Sequence, residues 1–306
     1  MTWFSKIRRC ASIIFIRCFG AKAHEAFYKY LQLICSGCWR QIWRFRNTPE
    51  NPNRVKLAAC VIVKNEAPYI AEWIEFHRAV GVQKFYFYLN DCTDNSLQVI
   101  RPYIDSGLVE YVVFNGEFKQ VPAYQDCLDM HHADADWLAF IDIDEFLVPV
   151  SSTSVVEILS TVPSGCDQVL AKWLFFGSAG HEKITPGLVI ERFTMRGEFS
   201  GLDWQTKAIV RPRNVYRLNV HRHLVMGETI RMELSKLRVH HYFCKSLDEY
   251  ALRSSRGDVF WGQKKGAAKY SRKLFDERDL NDVEDRSALR FRQQMNNCRL
   301  CSFSGQ

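Results

Sequence analysis

Three acids stand together in the stretch WLAFIDIDEFLVP, Trp137–Pro149: Asp142, Asp144 and Glu145. The residues before and after them are apolar, and carboxylates are seldom buried without partners. Read as one strand, the run puts Asp142 and Asp144 two residues apart on the same face. Like charges so placed repel unless a cation lies between them. A hard divalent ion, Mn²⁺ or Mg²⁺, takes carboxylate oxygens and accepts phosphate oxygens as further ligands. The structural alternative is a solvated strand end with Asp144 or Glu145 paired to an arginine. The chain has no GxxxxGK[ST] loop and no GxGxxG after its first apolar strand, so an acid-held ion would itself carry a diphosphate. The ligand expected on this chemistry is a nucleotide. Its base and ribose would meet Asn65, Glu66 and Asp91, and its diphosphate the ion.

Alternating strands and helices must position these acids. KLAACVIVKN (56–65) is β-branched and uncharged until its end, which predicts a buried strand. Pro68 opens a helix that Gly81 stops. KFYFYLND (84–91) is the next strand, followed by a helix from Ser96 to a stop at Gly107. LVEYVVFN (108–115), a helix over 122–133 and the acidic run complete the series. Strands that alternate with helices predict an α/β fold with a doubly wound, mostly parallel sheet. Such sheets bind ligands at the carboxyl ends of their strands. The polar residues collect there: Asn65 and Glu66, then Asp91 and Asp94, then the three acids. Beyond Pro149, QVLAKWLFFGSAGH, LVIERFTMR, KAIVRPRNVYRLNVHRH and LRVHHYF read as strands, and the chain turns helical from about Ser246.

Charge divides the chain. Residues 1–56 carry 11 Lys/Arg and 2 Asp/Glu; the remainder carries 30 and 32. The basicity belongs to an N-terminal arm, which argues against a nucleic-acid-binding body. In the arm, aromatic and aliphatic residues (Trp3, Phe4, Trp39, Trp43, Phe45) interleave with Lys and Arg. That pattern suits a helix lying on an anionic membrane surface, or equally a hairpin packed on the domain with a solvated basic face. Its uncharged stretch Cys10–Ile16 is too short to span a bilayer. Eleven cysteines, an odd number, point to a reducing compartment. Two CxxC pairs, Cys35/Cys38 and Cys298/Cys301, lack the compact spacing of a zinc ribbon. The expected organisation is an arm and linker (1–55), an α/β domain (56–260) whose halves meet near residue 150, and a helical extension (261–306).

In order and at compatible spacing, VKNEAPYIAEWIEFHRAVGV, NDCTDNS, PYIDSGLVEYV, AYQDCLDMHHADADWLAFIDIDEFLVP, WLFFGSAGH, GLVIERF, KAIVRP and HHYFCKSLDEY resemble glycosyltransferase family 92 and the related bacterial family-2-like enzymes. The resemblance covers roughly Leu57–Gly257. It implies a GT-A fold, a nucleotide-sugar donor, most simply a UDP-sugar, an ion at the DxD acids and an inverting transfer, by analogy of galactose. By the same resemblance Asp142 meets ribose and metal, Asp144 holds the metal, Asp91 sits at the base, and His241 completes the metal shell. Lys207 and Lys245 would neutralise the leaving diphosphate. Glu191 would be the base, with Glu182 and Asp203 as alternatives. Trp173, Phe176 and His181 would wall the acceptor. The arm and the odd cysteine count depart from the anchored animal members. They suggest a cytoplasmic enzyme, peripheral on the inner face of a membrane, acting on a glycan or glycolipid such as lipopolysaccharide or capsule. Two rival readings are a sugar-phosphate nucleotidyltransferase, which would bring a Gly- and Lys-rich phosphate loop, and a non-catalytic nucleotide- or glycan-binding module.

Overall fold

The computed structural model describes residues 39–198, 205–257, 259 and 270–295. The chain divides into two compact units, residues 1–48 and 49–306. Of the first unit only the end of the arm is described, a helix over Trp39–Asn47 with Trp43 exposed. Among the described residues no helix is long and apolar enough to cross a membrane. The two CxxC pairs and Asp203 lie outside the described residues.

The second unit is built on a nine-stranded sheet. Its first half follows the sequence closely: β1 (Val55–Val63), β2 (Lys84–Leu89), β3 (Val109–Val113) and β4 (Ala135–Phe140). These lie side by side in the order β3-β2-β1-β4, all parallel. Each connection is a right-sized helix: Ala67–Ala79, Ser96–Asp105 and Gln120–His131. Gly81 and Gly107 end the first two with φ of +104° and +75°, a conformation that L side chains avoid.

The acidic run is not one strand. β4 stops at Phe140, and a turn intervenes. β5 (Glu145–Pro149) then begins at the far edge of the sheet, antiparallel to β12 (Leu237–His241). The turn is stapled from below. The fully buried indole of Trp73 donates Nε1–H to the carbonyls of Asp142 (3.1 Å) and Glu145 (2.9 Å). Between β4 and β12 lie β8 (Thr206–Val210), antiparallel to β4, and β6 (Cys166–Phe175), antiparallel to β8 and parallel to β12; the short strands β7 (Met195–Arg196), β9 (Val215–Arg217), β10 (Leu224–Val225) and β11 (Glu228–Arg231) complete the numbering. A parallel half thus feeds a mixed half, the α/β arrangement expected of the GT-A type.

Two expectations change. LVIERFTMR forms one helical turn, Val189–Arg192, and a two-residue strand, Met195–Arg196. Glu72, buried on the helix Ala67–Ala79, accepts the N–H groups of Val189 (2.7 Å) and Ile190 (3.0 Å), which fixes that turn as helix. The C-terminal residues are not an appendage: Phe275, Ala288, Phe291 and Met295 belong to the main hydrophobic core.

Candidate active site

A cavity of about 530 Å³ opens at the carboxyl ends of the central strands. The acid turn, the loop after β1, the ends of β6 and β12 and the helix Leu247–Arg256 all contribute to its wall.

The acids of the turn have separate partners. Asp142 Oδ2 accepts Lys207 Nζ at 2.7 Å, while Oδ1 accepts Gln120 Nε2 (2.8 Å) and Tyr124 O–H (3.1 Å). Lys207 projects from β8, is itself buried and lies 3.4 Å from Glu145. Burial alone would lower its pKa; Asp142 and Glu145 outweigh that and raise it, so the ammonium stays charged. Glu145 is wholly buried, and that burial raises its pKa well above the carboxylate range despite Lys207.

Asp144 points elsewhere. Its Oδ2 accepts Arg253 Nη1 and lies 3.2 Å from His241 Nε2. Burial would raise its pKa, but Arg253 and His241 win and hold it well below its usual value. His241 Nδ1 is buried without a hydrogen bond. Desolvation lowers the His241 pKa, which favours the neutral imidazole that metals bind.

This geometry tests whether a divalent ion fits. Octahedral bonds of about 2.1 Å place neighbouring ligands about 3 Å apart. Asp144 Oδ2 and His241 Nε2, 3.2 Å apart, meet that spacing. Asp142, the other expected ligand, has both its oxygens on protein donors, Lys207 on one and Gln120 and Tyr124 on the other. Among the described residues no three His, Cys, Asp or Glu side chains converge as a closed site. The pair leaves the remaining positions to ligand oxygens and water.

Of the other expected donor residues, only Glu66 lines the cavity. Its Oε1 pairs with Arg256, and its Oε2 is buried and unbonded. Asn65, Asp91 and Asp94 lock the loops instead. Asn65 Oδ1 accepts the N–H of Thr93 (2.7 Å) and of Asp94 (3.3 Å). Asp94 accepts the N–H of Ala67 (3.0 Å) and of Ser96 (3.1 Å). Asp91 Oδ1 accepts Gly116 N–H at 3.1 Å and its Oδ2 pairs with Lys64. Both Asn65 and Asp91 have positive φ, 52° and 45°, as turn residues do. Lys245 is buried with its Nζ 4.3 Å from the Tyr69 ring centre and is not part of the cavity wall.

The acceptor expectations divide as well. Trp173 lines the cavity, with its Nε1 buried and unbonded. Phe176 is core, between His240 and Tyr242, and His181 packs on Phe193 away from the wall. Glu191 is also outside it: Oε2 accepts Leu188 N–H (3.1 Å) and Oε1 accepts Arg292 Nε–H (2.7 Å). Glu182 is exposed and likewise absent from the wall.

Sequence reasoning missed Arg253, Arg256, Gln120 and His221, all in the wall. For the arginines a signal existed. Ser246 and Glu249 form a reciprocal capping box that dates the helix start and sets Arg253 and Arg256 on one face. His221 edges onto Trp173 at 5.1 Å, and its Nδ1 has no hydrogen bond. Burial, aided by Lys207, lowers its pKa to about 4.

The sequence profile of glycosyltransferase family 92 matches residues 56–288, past the Gly257 limit expected above. A rice (Oryza sativa subsp. japonica) family 92 protein is 26% identical over 195 residues, 61% of this chain and 33% of its own length. The galactan beta-1,4-galactosyltransferase GALS2 of Arabidopsis thaliana is 26% identical over 190 residues, 56% of this chain and 36% of its own. The beta-1,4-galactosyltransferase galt-1 of Caenorhabditis elegans is 26% identical over 215 residues, 63% and 49% respectively. This chain therefore spans between a third and a half of these relatives. Among solved structures, Staphylococcus aureus TarS aligns at a TM-score of 0.40 and 12% identity over 79% of this chain and 70% of that one, too remote to carry an argument. The family match spans most of the chain and contains every residue of the acid turn: the chain belongs to glycosyltransferase family 92.

Proposed function

We propose that this protein transfers a hexose, most simply galactose, from a UDP-sugar to a hydroxyl of a glycan, with inversion. The observation that carries the reading is the cavity wall itself. One concave site joins the loop after β1, the acid turn, two helix-borne arginines and an aromatic surface. That is the set of groups a nucleoside, a diphosphate and a sugar require in sequence.

A divalent ion, Mn²⁺ or Mg²⁺, would be held by Asp144 and His241 and would supply positive charge to the departing diphosphate. Arg253 and Arg256 line the same wall and stabilise that charge as it develops. Asp142, held by Lys207, Gln120 and Tyr124, is oriented to accept ribose hydroxyls. Glu191 does not line the wall, and His221, which does, takes the role of base. It is neutral and unpaired at Nδ1, and a bound diphosphate would raise its pKa towards the working range. The acceptor is a growing surface glycan such as lipopolysaccharide or capsule, reached from the cytoplasmic side with the basic arm on the membrane surface.

The test is calorimetric titration of UDP with and without Mn²⁺, on the native protein and on Asp144→Ala, followed by transfer from UDP-galactose. Metal-dependent UDP binding lost in Asp144→Ala supports the reading, and His221→Asn should keep that binding while slowing turnover by about a hundredfold or more. UDP binding indifferent to Mn²⁺ and to Asp144 would defeat the metal assignment. Absence of UDP binding altogether would defeat the nucleotide reading.

A further inference from the structure

The cavity wall contains four described cations: Lys64, Arg253, Arg256 and Arg278. Three are matched by carboxylates. Lys64 Nζ lies 3.4 Å from Asp91 Oδ2, Arg253 is bound to Asp144, and Arg256 to Glu66. Arg278 differs. It is the last residue of the helix Arg272–Arg278 and is partly buried. Its side chain makes no hydrogen bond or ion pair among the described residues, and its guanidinium rests 5.3 Å from the centre of the Phe175 ring.

An arginine in a cavity wall with no carboxylate bound to it is free to meet an anionic group of a ligand. The surface beneath it narrows the choice of anion. Phe175 and Trp173 lie edge to face at 5.5 Å, both in the wall, and Trp173 Nε1 has no partner. Aromatic side chains in a cavity wall suit a sugar ring. The diphosphate has its own partners in Arg253, Arg256 and an ion that Asp144 and His241 would hold. The anion that Arg278 meets therefore belongs to a sugar lying on Phe175 and Trp173.

We infer that this end of the cavity is a subsite for an acidic sugar, one bearing a carboxylate or phosphate, which Arg278 recognises by charge-assisted hydrogen bonds. The inference rests on the nucleotide-sugar reading above and deepens it: one of the two reacting sugars is anionic.

The experiment is a set of calorimetric titrations with Mn²⁺ present, on the native protein, Arg278→Gln and Arg278→Lys. In the donor arm UDP-galacturonate is compared with UDP-galactose. In the acceptor arm galacturonate and galactose 6-phosphate are compared with galactose, each in the presence of UDP. In one arm the acidic sugar should bind about tenfold tighter than its neutral counterpart. Arg278→Gln should bring that ratio close to one, Arg278→Lys should restore part of it, and UDP alone should bind all three proteins equally. No preference in either arm, or a preference that survives Arg278→Gln, overturns the inference. So does an Arg278→Gln loss that falls equally on UDP, which would put Arg278 on the diphosphate. If the native protein fails to bind UDP at all, the nucleotide reading falls first and takes this inference with it.

Discussion

At the scale of single residues the site is held by exchange between charges. Asp144 cannot give Oδ2 to a divalent ion while Arg253 holds it, and Arg253 has somewhere to go. Its guanidinium lies 4.9 Å from the ring centres of both Phe243 and Tyr270, and the cavity opens beside it. On the proposed function, Asp144 would exchange Arg253 for an ion that brings positive charge to the diphosphate, and the released arginine would bind phosphate oxygen. Arg253→Gln should then have effects of opposite sign. Mn²⁺ alone should bind about three- to tenfold tighter, since a competing cation is gone, while UDP in saturating Mn²⁺ should bind about tenfold or more weakly. Titration of Mn²⁺ followed by electron paramagnetic resonance reads the first, calorimetry the second. Two losses in the same direction would mean that Arg253 only supports the turn. The acids alone allowed an arginine on Asp144 but did not say which one. Asp142 and Asp144 were conspicuous as carboxylates, but their partners lie 65 and 109 residues away, at Lys207 and Arg253. Asn65, Asp91 and Asp94 were conspicuous too, for a different reason: residues that tolerate positive φ and accept backbone N–H groups are the same types that bind ligands.

At the scale of elements, the strand-helix-strand series was readable because each segment carries its own period and its own stop. β1 to β3, the three helices and the start of β4 lie within about two residues of the pattern read from sequence, and boundary slips of that size are ordinary. The acid run misled because Ile141 and Ile143 continue the apolar alternation through a turn, and what breaks the strand is Trp73, distant in sequence. The helix Leu247–Arg256 offers the sharpest test of element on site. Glu249 binds Arg192 through two bonds of 2.9 Å, caps its own helix through Ser246 and accepts Tyr69 O–H at 2.9 Å. Both members of the Arg192–Glu249 pair are buried. Glu249→Ala leaves Arg192 buried and uncompensated and should cost about 3–5 kcal/mol. Glu249→Leu with Arg192→Met removes both charges and should cost distinctly less. Urea denaturation of the two variants checks this, and equal losses would show that the cap, not the buried charge, dominates. Because Arg253 and Arg256 ride on the same helix, both variants should also weaken UDP binding.

At the scale of the whole molecule, burial of ionisable groups ties stability to pH. His77, His223 and His240 are fully buried, and desolvation lowers each pKa to about 3. His77 is satisfied as a neutral ring, with Nδ1 on the Trp73 carbonyl (2.8 Å) and Nε2 accepting Leu147 N–H (3.2 Å) at the start of β5. The unfolded chain protonates these imidazoles near pH 6.5, so between about 6.5 and 3 it binds more protons than the fold, and stability falls as pH falls. Glu72 acts oppositely. Burial raises its pKa to about 7 against the two N–H groups it accepts, so it favours the fold on acidification from 7 to 4.5, and Glu145 shares that sign. The imidazoles outnumber the two carboxylates, and the net expectation is loss of stability from pH 7 to pH 5. Acid reaches the paired carboxylates only later: Glu249, held to about 2 by Arg192 and Ser246 against its own desolvation, begins to lose its contribution below about pH 4.5. Urea midpoints at pH 7, 6 and 5 measure the slope. His77→Gln keeps one donor and one acceptor in place and removes one proton from the unfolded-state excess, so its slope below pH 6.5 should be shallower by about 1.4 kcal/mol per pH unit. A native protein that gains stability between pH 6.5 and 5, or a His77→Gln variant with an unchanged slope, would show that these rings are not held neutral by the core.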